Sequence, residues 1–259
     1  MISIIIPVLN EGDYIGKSLE HLLANASAKN ISEIIVVDGG SLDTTNIIVK
    51  DFIHVNGFLN QEAYYYMEEA VINATPSFTE TKKKKIKLLH SEKGRAKQMN
   101  LGAKFATGDI LYFLHADSLP PNHFDQLIID EVNKGNYAGC FRMQFDSKHW
   151  WLRLASWLTQ FKWRACRGGD QSQFITKKLF NVIGGFDENY IIYEDNILIN
   201  ELYARNEFVV INHKLKSSAR MYRKHGVWKL QYLYLSIYLK KWFGADCNQL
   251  YAYYKRHIV

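Results

Sequence analysis

The sequence predicts an α/β fold built on a central sheet with helices on both faces. Three segments carry this reading: Ser3-Ile4-Ile5-Ile6-Pro7-Val8-Leu9-Asn10-Glu11, Val36-Val37-Asp38-Gly39-Gly40-Ser41-Leu42-Asp43-Thr44 and Leu111-Tyr112-Phe113-Leu114-His115-Ala116-Asp117. Each is an apolar run that ends in small and acidic residues. Buried parallel strands read as continuous Ile/Val/Leu runs because helices cover both of their faces. Ligands of such sheets bind just beyond the carboxyl ends of the strands. Asn10, Glu11, Asp38, Asp43, His115 and Asp117 are therefore all aimed at one edge.

In chain order, the first strand is Ile2–Val8. A helix over residues 13–26 then places Ile15, Leu19, Leu22, Leu23 and Ala26 on one face. A strand over residues 33–37 leads to Asp43, which stands where a helix N-cap belongs, before a helix over residues 44–50. Asp43 reads as a cap in preference to a ligand.

Residues 51–85 break the strand–helix rhythm and read as an insertion. Residues 61–74 have helical character, but Tyr64-Tyr65-Tyr66 and Thr81-Lys82-Lys83-Lys84-Lys85 do not continue the alternation. The lysines read as a solvated loop in preference to a polyanion site.

A strand over residues 86–90 and a helix over residues 94–107 follow, then a strand over residues 109–114. Pro120-Pro121 opens the next helix, as proline does at helix starts. Residues 137–145 alternate as a strand, and residues 150–164 form a helix carrying Trp150, Trp151, Trp157 and Trp163. Gln173–Thr176 is a short strand, Gly184-Gly185-Phe186 a turn and residues 194–206 a helix. Strands follow near residues 208–213 and 217–222. An aromatic helix over residues 227–243, with lysines at both ends, closes the pattern.

The chain has 259 residues, enough for one large α/β domain with an appendage. Its 47% hydrophobic and 14% aromatic content excludes a disordered chain. A net charge of +6 fits an anionic partner, although a solvated basic surface accounts for it as well. Cys140, Cys166 and Cys247 are odd in number and lack CxxC spacing, which argues against a disulfide framework or zinc site and suits a reducing compartment. Met1 leads straight into the first strand, so no signal peptide is expected. The apolar run over residues 230–239 is too short for a bilayer, which needs about 20 residues.

The strand-end residues suggest chemistry of one kind. A carboxylate such as Asp117 can hold a hard divalent cation that takes the rest of its shell from water and substrate phosphates. His115, two residues earlier, points to the same side of an extended chain. Gly39-Gly40 permits a tight turn and close ligand approach beside Asp38, and an Asp at the end of a second strand can accept hydrogen bonds from a ribose or base. Glu194-Asp195 lies at a helix start, where the dipole favours negative charge. The pair reads either as a cap or as a general base that takes a proton from an acceptor hydroxyl. Gly168-Gly169-Asp170-Gln171 offers a turn with a second carboxylate upstream.

Taken together, Ser-Ile-Ile-Ile-Pro-Val-Leu-Asn-Glu, Val-Asp-Gly-Gly-Ser-Leu-Asp-Thr-Thr, Gly-Arg-Ala-Lys-Gln-Met-Asn, Phe-Leu-His-Ala-Asp and Tyr-Glu-Asp resemble a family-2 glycosyltransferase of the GT-A fold, over about residues 2–226. The likeness is greatest to a small bacterial branch with His-Ala-Asp where most relatives have Asp-x-Asp, and with Gly-Asp-Gln before the Glu-Asp pair. It implies a Rossmann-like nucleotide-binding half within a mixed sheet. Residues 1–226 would form one catalytic domain, with an aromatic, basic helical tail over residues 227–259.

The resemblance also implies inverting transfer of a sugar from a UDP- or GDP-linked donor to a saccharide or lipid-linked acceptor. Pro7, Asn10, Glu11 and Ala116 would line the donor pocket, with Asp38 on the base or ribose and Arg95 and Asn100 near the phosphates. Asp117 would bind Mg²⁺ or Mn²⁺, with His225 as a late metal ligand. Asp195 would be the base, Glu194 its neighbour orienting acceptor or loop, and Asp170 and Gln171 the acceptor side. His115 replaces the first Asp of Asp-x-Asp, which bears on which metal binds and how tightly.

A nucleotidyltransferase also uses acidic metal ligands on an α/β sheet. It usually has a basic Gly-rich loop after the first strand, where this chain has the acidic Asn10-Glu11-Gly12-Asp13. A non-catalytic nucleotide-sugar-binding protein would not need Asp117 and Glu194-Asp195. No basic and aromatic nucleic-acid motif is present. The aromatic helices, with Lys229, Lys240 and Lys241, either pack on the sheet or present an interfacial patch to a membrane surface. The expected location is cytoplasmic, with the inner face of the membrane as the site of any peripheral attachment.

Overall fold

The computed structural model describes residues 1–55 and 85–258. The first half comprises β1 (Ile2–Val8), α1 (Gly12–Asn25), β2 (Ile31–Asp38), α2 (Thr45–Val55), β3 (Lys85–His90), α3 (Arg95–Phe105) and β4 (Ile110–Phe113). The expected insertion over residues 51–85 falls partly in α2 and β3. Its remainder, residues 56–84, with the helical stretch and most of the lysine run, lies outside the described residues.

The second half contains β5 (Ser118–Leu119), α4 (Phe124–Asn133), β6 (Ala138–Phe145), α5 (Trp150–Leu158), β7 (Gln173–Thr176), α6 (Lys177–Ile183) and α7 (Glu194–Ala204). It continues through β8 (Val209–Ser217), α8 (Arg220–His225), α9 (Val227–Trp242) and α10 (Cys247–His257). Among the described residues no helix is long and apolar enough to cross a membrane.

The strands form one sheet in the order β3-β2-β1-β4-β7-β6-β8-β5. The first four are parallel. β7 runs antiparallel to β4 and β6, β6 and β8 are parallel, and β5 pairs antiparallel with the end of β8. The sheet is thus mixed, and its parallel part has a reversal of strand order at β1, where such sheets open a crevice for ligands.

Strand alternation splits the core in two. Ile4 and Ile6 pack with Leu19 and Leu22 of α1, while Ile5 and Val37 pack with Met99 and Ala103 of α3. Both faces of β1 are therefore dry, which is why it reads as an unbroken apolar run.

Four expected elements differ, each for an identifiable reason. The helix over residues 150–164 stops at Leu158. The buried Arg167 guanidinium takes the carbonyls of Thr159 and Phe161, each at 2.6 Å, which a continuing helix would use itself. The strands expected near residues 208–213 and 217–222 are one strand, β8, followed by helix α8. β8 keeps its partner β6 as far as Ser217, and beyond it the Asp146 carboxylate accepts the Ala219 N–H and starts a turn.

Pro120-Pro121 precedes its helix by several residues. The Pro120 carbonyl bonds His21 Nε2 at 2.6 Å, and α4 starts only at Phe124 after left-handed His123. The tail also folds into a second helix, α10, opened by a reciprocal capping box between Asp246 and Gln249.

Candidate functional site

The first two strand-end loops interlock. Ser41 Oγ accepts the Asn10 N–H at 2.8 Å, Asn10 Oδ1 accepts Leu42 N–H at 2.8 Å, and Thr45 Oγ1 accepts Glu11 N–H at 2.9 Å. Asp43 accepts the N–H groups of Gly12 and Thr45, both at 3.0 Å, so it caps α2 as expected while tying that helix to α1. Gln98 of α3, buried, donates to the carbonyls of Val8 and Val37, each at 2.8 Å, and pins the two strand ends together.

Asp38 is buried and accepts Gly40 N–H, Ser41 N–H and the Asn46 amide. Burial opposes its ionisation, but these hydrogen bonds more than offset it and hold the carboxyl below its ordinary range. Asp38 therefore shapes the Gly39-Gly40-Ser41 turn from within. Pro7 is half-buried and Ala116 buried at the same edge.

His115 and Asp117 do not lie on an extended chain. β4 ends at Phe113, and Ser118 N–H returns to the His115 carbonyl at 3.1 Å, so Ala116-Asp117 forms a turn. The alternation expected for these residues fails there, but the turn itself keeps His115 close enough to act on the Asp117 charge. His115 Nε2 bonds the Gly169 carbonyl at 3.0 Å. Burial pushes the Asp117 carboxyl above its ordinary range, against the opposing charges of His115 and Arg220.

Arg220 is the residue that sequence reasoning missed. Its guanidinium grips Glu11 at 2.6 and 2.7 Å, reaches Asp117 at 3.1 Å and stacks over Tyr14 at 4.6 Å. It sits in the first turn of α8, a stretch that read as strand, so no sequence signal placed a cation there.

The acidic pair lies at the start of α7. Glu194 is fully buried and Asp195 is 6% exposed. Arg95, at the start of α3, donates from Nε to Glu194 Oε1 and from Nη2 to Asp195 Oδ2, the latter at 2.9 Å. Burial disfavours the Arg95 charge, yet the two carboxylates more than offset this and hold it protonated. Glu194 Oε2 has no hydrogen-bond partner, and burial raises the Glu194 carboxyl. A Cβ on Gly169 would lie 1.9 Å from Asp195 Oδ2, so only glycine fits against that carboxylate. One crevice is lined by Pro7, His115, Gly169 and Asp195, bringing the end of β1, the turn after β4 and the start of α7 together.

Other expected site residues are structurally engaged. The Asn100 amide bonds both the N–H and C=O of Phe186 and the Glu188 carboxylate, clamping the turn before α7. Gln171 is buried, donating to the Cys166 carbonyl and accepting from Arg167 at 2.7 Å each. Asp170 beside it is exposed, and its charge acts on Arg95 and Asp117. His225 closes α8 instead of following the last strand directly, and its Nε2 is buried without a hydrogen-bond partner.

The family model described as glycosyl transferase family 2 matches residues 3–187. The chain belongs to that family. The match runs from β1 through the turn before α7, so it takes in the interlocked loops, Arg95 and Asp117, while Glu194, Asp195 and Arg220 follow it. Among curated protein sequences no match is found.

Solved structures share the fold at low identity. S. aureus TarS residues 1–349 with UDP superposes with a TM-score of 0.61 at 16% identity, over 84% of this chain and 60% of that one. The same fragment with UDP-GlcNAc gives 0.61 at 17%, over 84% and 58%. The mannosyltransferase PcManGT of Pyrobaculum calidifontis, in complex with GDP-Man and Mn²⁺, gives 0.65 at 16%, over 98% of this chain and 69% of that one. The GT-A arrangement expected from the sequence is thus the observed fold, and the chain spans about 60% of the TarS fragment.

A divalent cation held together with a diphosphate needs only one or two protein carboxylates, because phosphates and water complete its shell. Asp117 suits that minimal role. Among the described residues no group of three His, Cys, Asp or Glu side chains could hold a cation by itself.

Proposed function

We propose that the chain transfers a sugar, with inversion, from a nucleoside-diphosphate donor to an acceptor hydroxyl. The observation that carries this is the crevice in which Asp195 meets Pro7, His115 and Gly169. A proton-accepting carboxylate there lies beside the strand ends that bind nucleotides in sheets of this type.

In this reading the interlocked turns around Asn10, Glu11 and Asp38 hold the nucleoside, Ala116 borders it, and the diphosphate lies over Asp117. Asp117 holds Mg²⁺ or Mn²⁺, with His225 and its unpartnered Nε2 as a further ligand. The cation, when bound, stabilises the charge that develops on the leaving diphosphate. Arg220 adds positive charge at the same place. Asp195 takes the acceptor proton as the new bond forms, because a hydroxyl is a poor nucleophile until a positioned carboxylate deprotonates it. Arg95 keeps Asp195 aimed, while Glu194 anchors Arg95. Asp170 faces the acceptor, Gln171 holds its loop, and Asn100 fixes the turn that carries α7.

Uridine and guanosine diphosphates are the donors in view, since the structural relatives carry UDP, UDP-GlcNAc and GDP-Man. A thermal-shift panel of UDP, GDP, CDP and their sugars, with and without Mn²⁺, tests the reading. Ligands that bind only the folded state raise the midpoint. A Mn²⁺-dependent rise with one nucleotide class is expected, and no rise with any of them would count against a donor site.

A further inference from the structure

A second cavity, of about 630 Å³, opens between β6, β8 and α5. That is the size of a small-ligand site. Its lining includes four cations, Arg142, Lys148, Arg153 and Lys214, and no carboxylate. Arg142 and Lys214 are direct partners in the β6–β8 register, so two like charges face each other on adjacent strands. Arg142 Nη1 donates to Asn212 at 2.7 Å, but its Nε is buried without a partner.

Elsewhere surface cations find acids, as Arg205 does with Glu201 and Lys134 with Glu131. Among the described residues, none of the four cavity cations forms an ion pair. Like charges in contact raise the free energy of the fold. An anion seated among them would relieve that cost and satisfy the unpaired guanidinium nitrogen.

The remaining wall says which kind of anion. Trp150, Leu154 and Trp157 of α5 line the cavity and are 61%, 38% and 50% exposed. Trp228 at the start of α9 lies 5.8 Å from Trp150 and is 55% exposed, and Lys229 follows it. Inorganic phosphate alone would leave this apolar rim unused. Tryptophan beside Lys and Arg is the pattern of a membrane interface, where the rings enter the acyl boundary and the cations meet lipid phosphates.

We propose that this cavity seats the phosphate headgroup of an anionic membrane lipid, with Trp150, Leu154 and Trp157 entering the bilayer surface. The cavity also adjoins the acidic edge. Its β6 wall runs into Asp146, whose carboxylate holds the Ala219 N–H next to Arg220, the cation on Asp117. A lipid-linked acceptor drawn to the cavity would thus arrive beside Asp117. That consequence rests on the transferase reading, whereas lipid binding itself does not.

The test is flotation of the full chain with phosphatidylcholine vesicles, with and without phosphatidylglycerol, and no nucleotide present. Binding only to the phosphatidylglycerol vesicles is expected, weakening as salt rises. Each surface cation contributes roughly fivefold to partitioning, so Lys148→Glu/Arg153→Glu should lower it by about 25-fold or more. Both residues are exposed, so the variant should keep the wild-type melting temperature and any nucleotide-dependent shift. Trp150→Phe/Trp157→Phe should reduce the vesicle-induced blue shift of tryptophan emission.

Equal flotation of wild type and the charge-reversed variant would overturn the cavity as the lipid site. Absence of flotation with either vesicle would overturn the proposal, and displacement of the protein from vesicles by millimolar inorganic phosphate or an oligonucleotide would assign the cavity to a soluble anion and overturn it as well. These outcomes leave the nucleotide panel untouched, so failure here is distinguishable from failure of the transferase reading.

Discussion

Glu33 and Glu194 are both buried carboxylates on the same sheet scaffold, at opposite edges, and they are treated oppositely. Glu33, at the amino-terminal side of β2, accepts from the Ser3 hydroxyl, the Thr107 N–H at 2.9 Å, the Thr107 hydroxyl at 2.7 Å and Lys87 at 3.1 Å. Burial opposes its charge, yet these donors more than offset it and bring the carboxyl below its ordinary range. Glu194, at the start of α7, has Arg95 on one oxygen and nothing on the other, and burial raises it. A carboxylate that serves only the fold is fully satisfied. One left partly unsatisfied beside Asp195 and a crevice fits the proposed transferase site.

The comparison breaks first at Glu33. Glu33→Ala leaves the buried Ser3 hydroxyl without its acceptor and removes the partner of the more exposed Thr107 and Lys87, and a loss of about 3 kcal/mol in unfolding free energy is expected. Chemical denaturation measures it, and transfer per folded molecule should not change. A loss under about 1 kcal/mol would show that its hydrogen bonds only balance its burial.

Asp195→Asn should leave nucleotide binding nearly intact and cost on the order of 100-fold in turnover. Undiminished turnover would remove Asp195 as the base. Glu194→Gln should change stability by no more than about 1 kcal/mol, because it removes an incompletely satisfied charge along with its pair to Arg95. Turnover should nevertheless fall as Arg95 loses its anchor. A destabilisation as large as that of Glu33→Ala would erase the contrast.

The subtlest difference lies in pH. The lowered carboxyl of Glu33 contributes stability above its unfolded pKa that is lost as pH falls through the folded value. The raised carboxyl of Glu194 contributes in the other sense: its stabilisation is present below the unfolded pKa and is lost as pH rises through the folded value. Across a pH range that spans the ordinary glutamate value of 4.5, Glu33→Gln should therefore flatten the fall in stability below it, and Glu194→Gln should lessen the decline above it toward neutral pH. Melting temperatures across that range read both, and identical curves for the two variants would contradict the assignment.

How much of this was legible in the sequence depended on whether the cause was local. β1, β2 and β4 announce themselves because Ile4, Ile5 and Ile6 face dry helices on both sides. Asp43 was readable as a cap because capping acts within one turn. Arg167 and Arg220 were not readable. Arg167 ends α5 by taking carbonyls six and eight residues back, and Arg220 meets Glu11 across 209 residues of chain. Neither leaves a periodic trace. The α8 stretch alternates like a strand, but its sheet partners end at Ser217, a tertiary fact that propensity does not see. The α10 capping box, Asp246 with Gln249, was written in the sequence and is the one missed element with a local signal.

The most direct test of the carboxyl-edge site is calorimetric titration of UDP and GDP, with and without Mn²⁺, into the wild-type chain and Asp117→Ala. One nucleotide should bind the wild type in a Mn²⁺-dependent way. Asp117→Ala should weaken that binding by roughly tenfold or more, since the cation then loses its protein carboxylate. Affinity should also fall on acidification above the usual carboxylate range, because burial raises Asp117 and its protonated form cannot hold a cation. Binding of neither nucleotide, or equal Mn²⁺-dependent affinity in both proteins, would contradict the site.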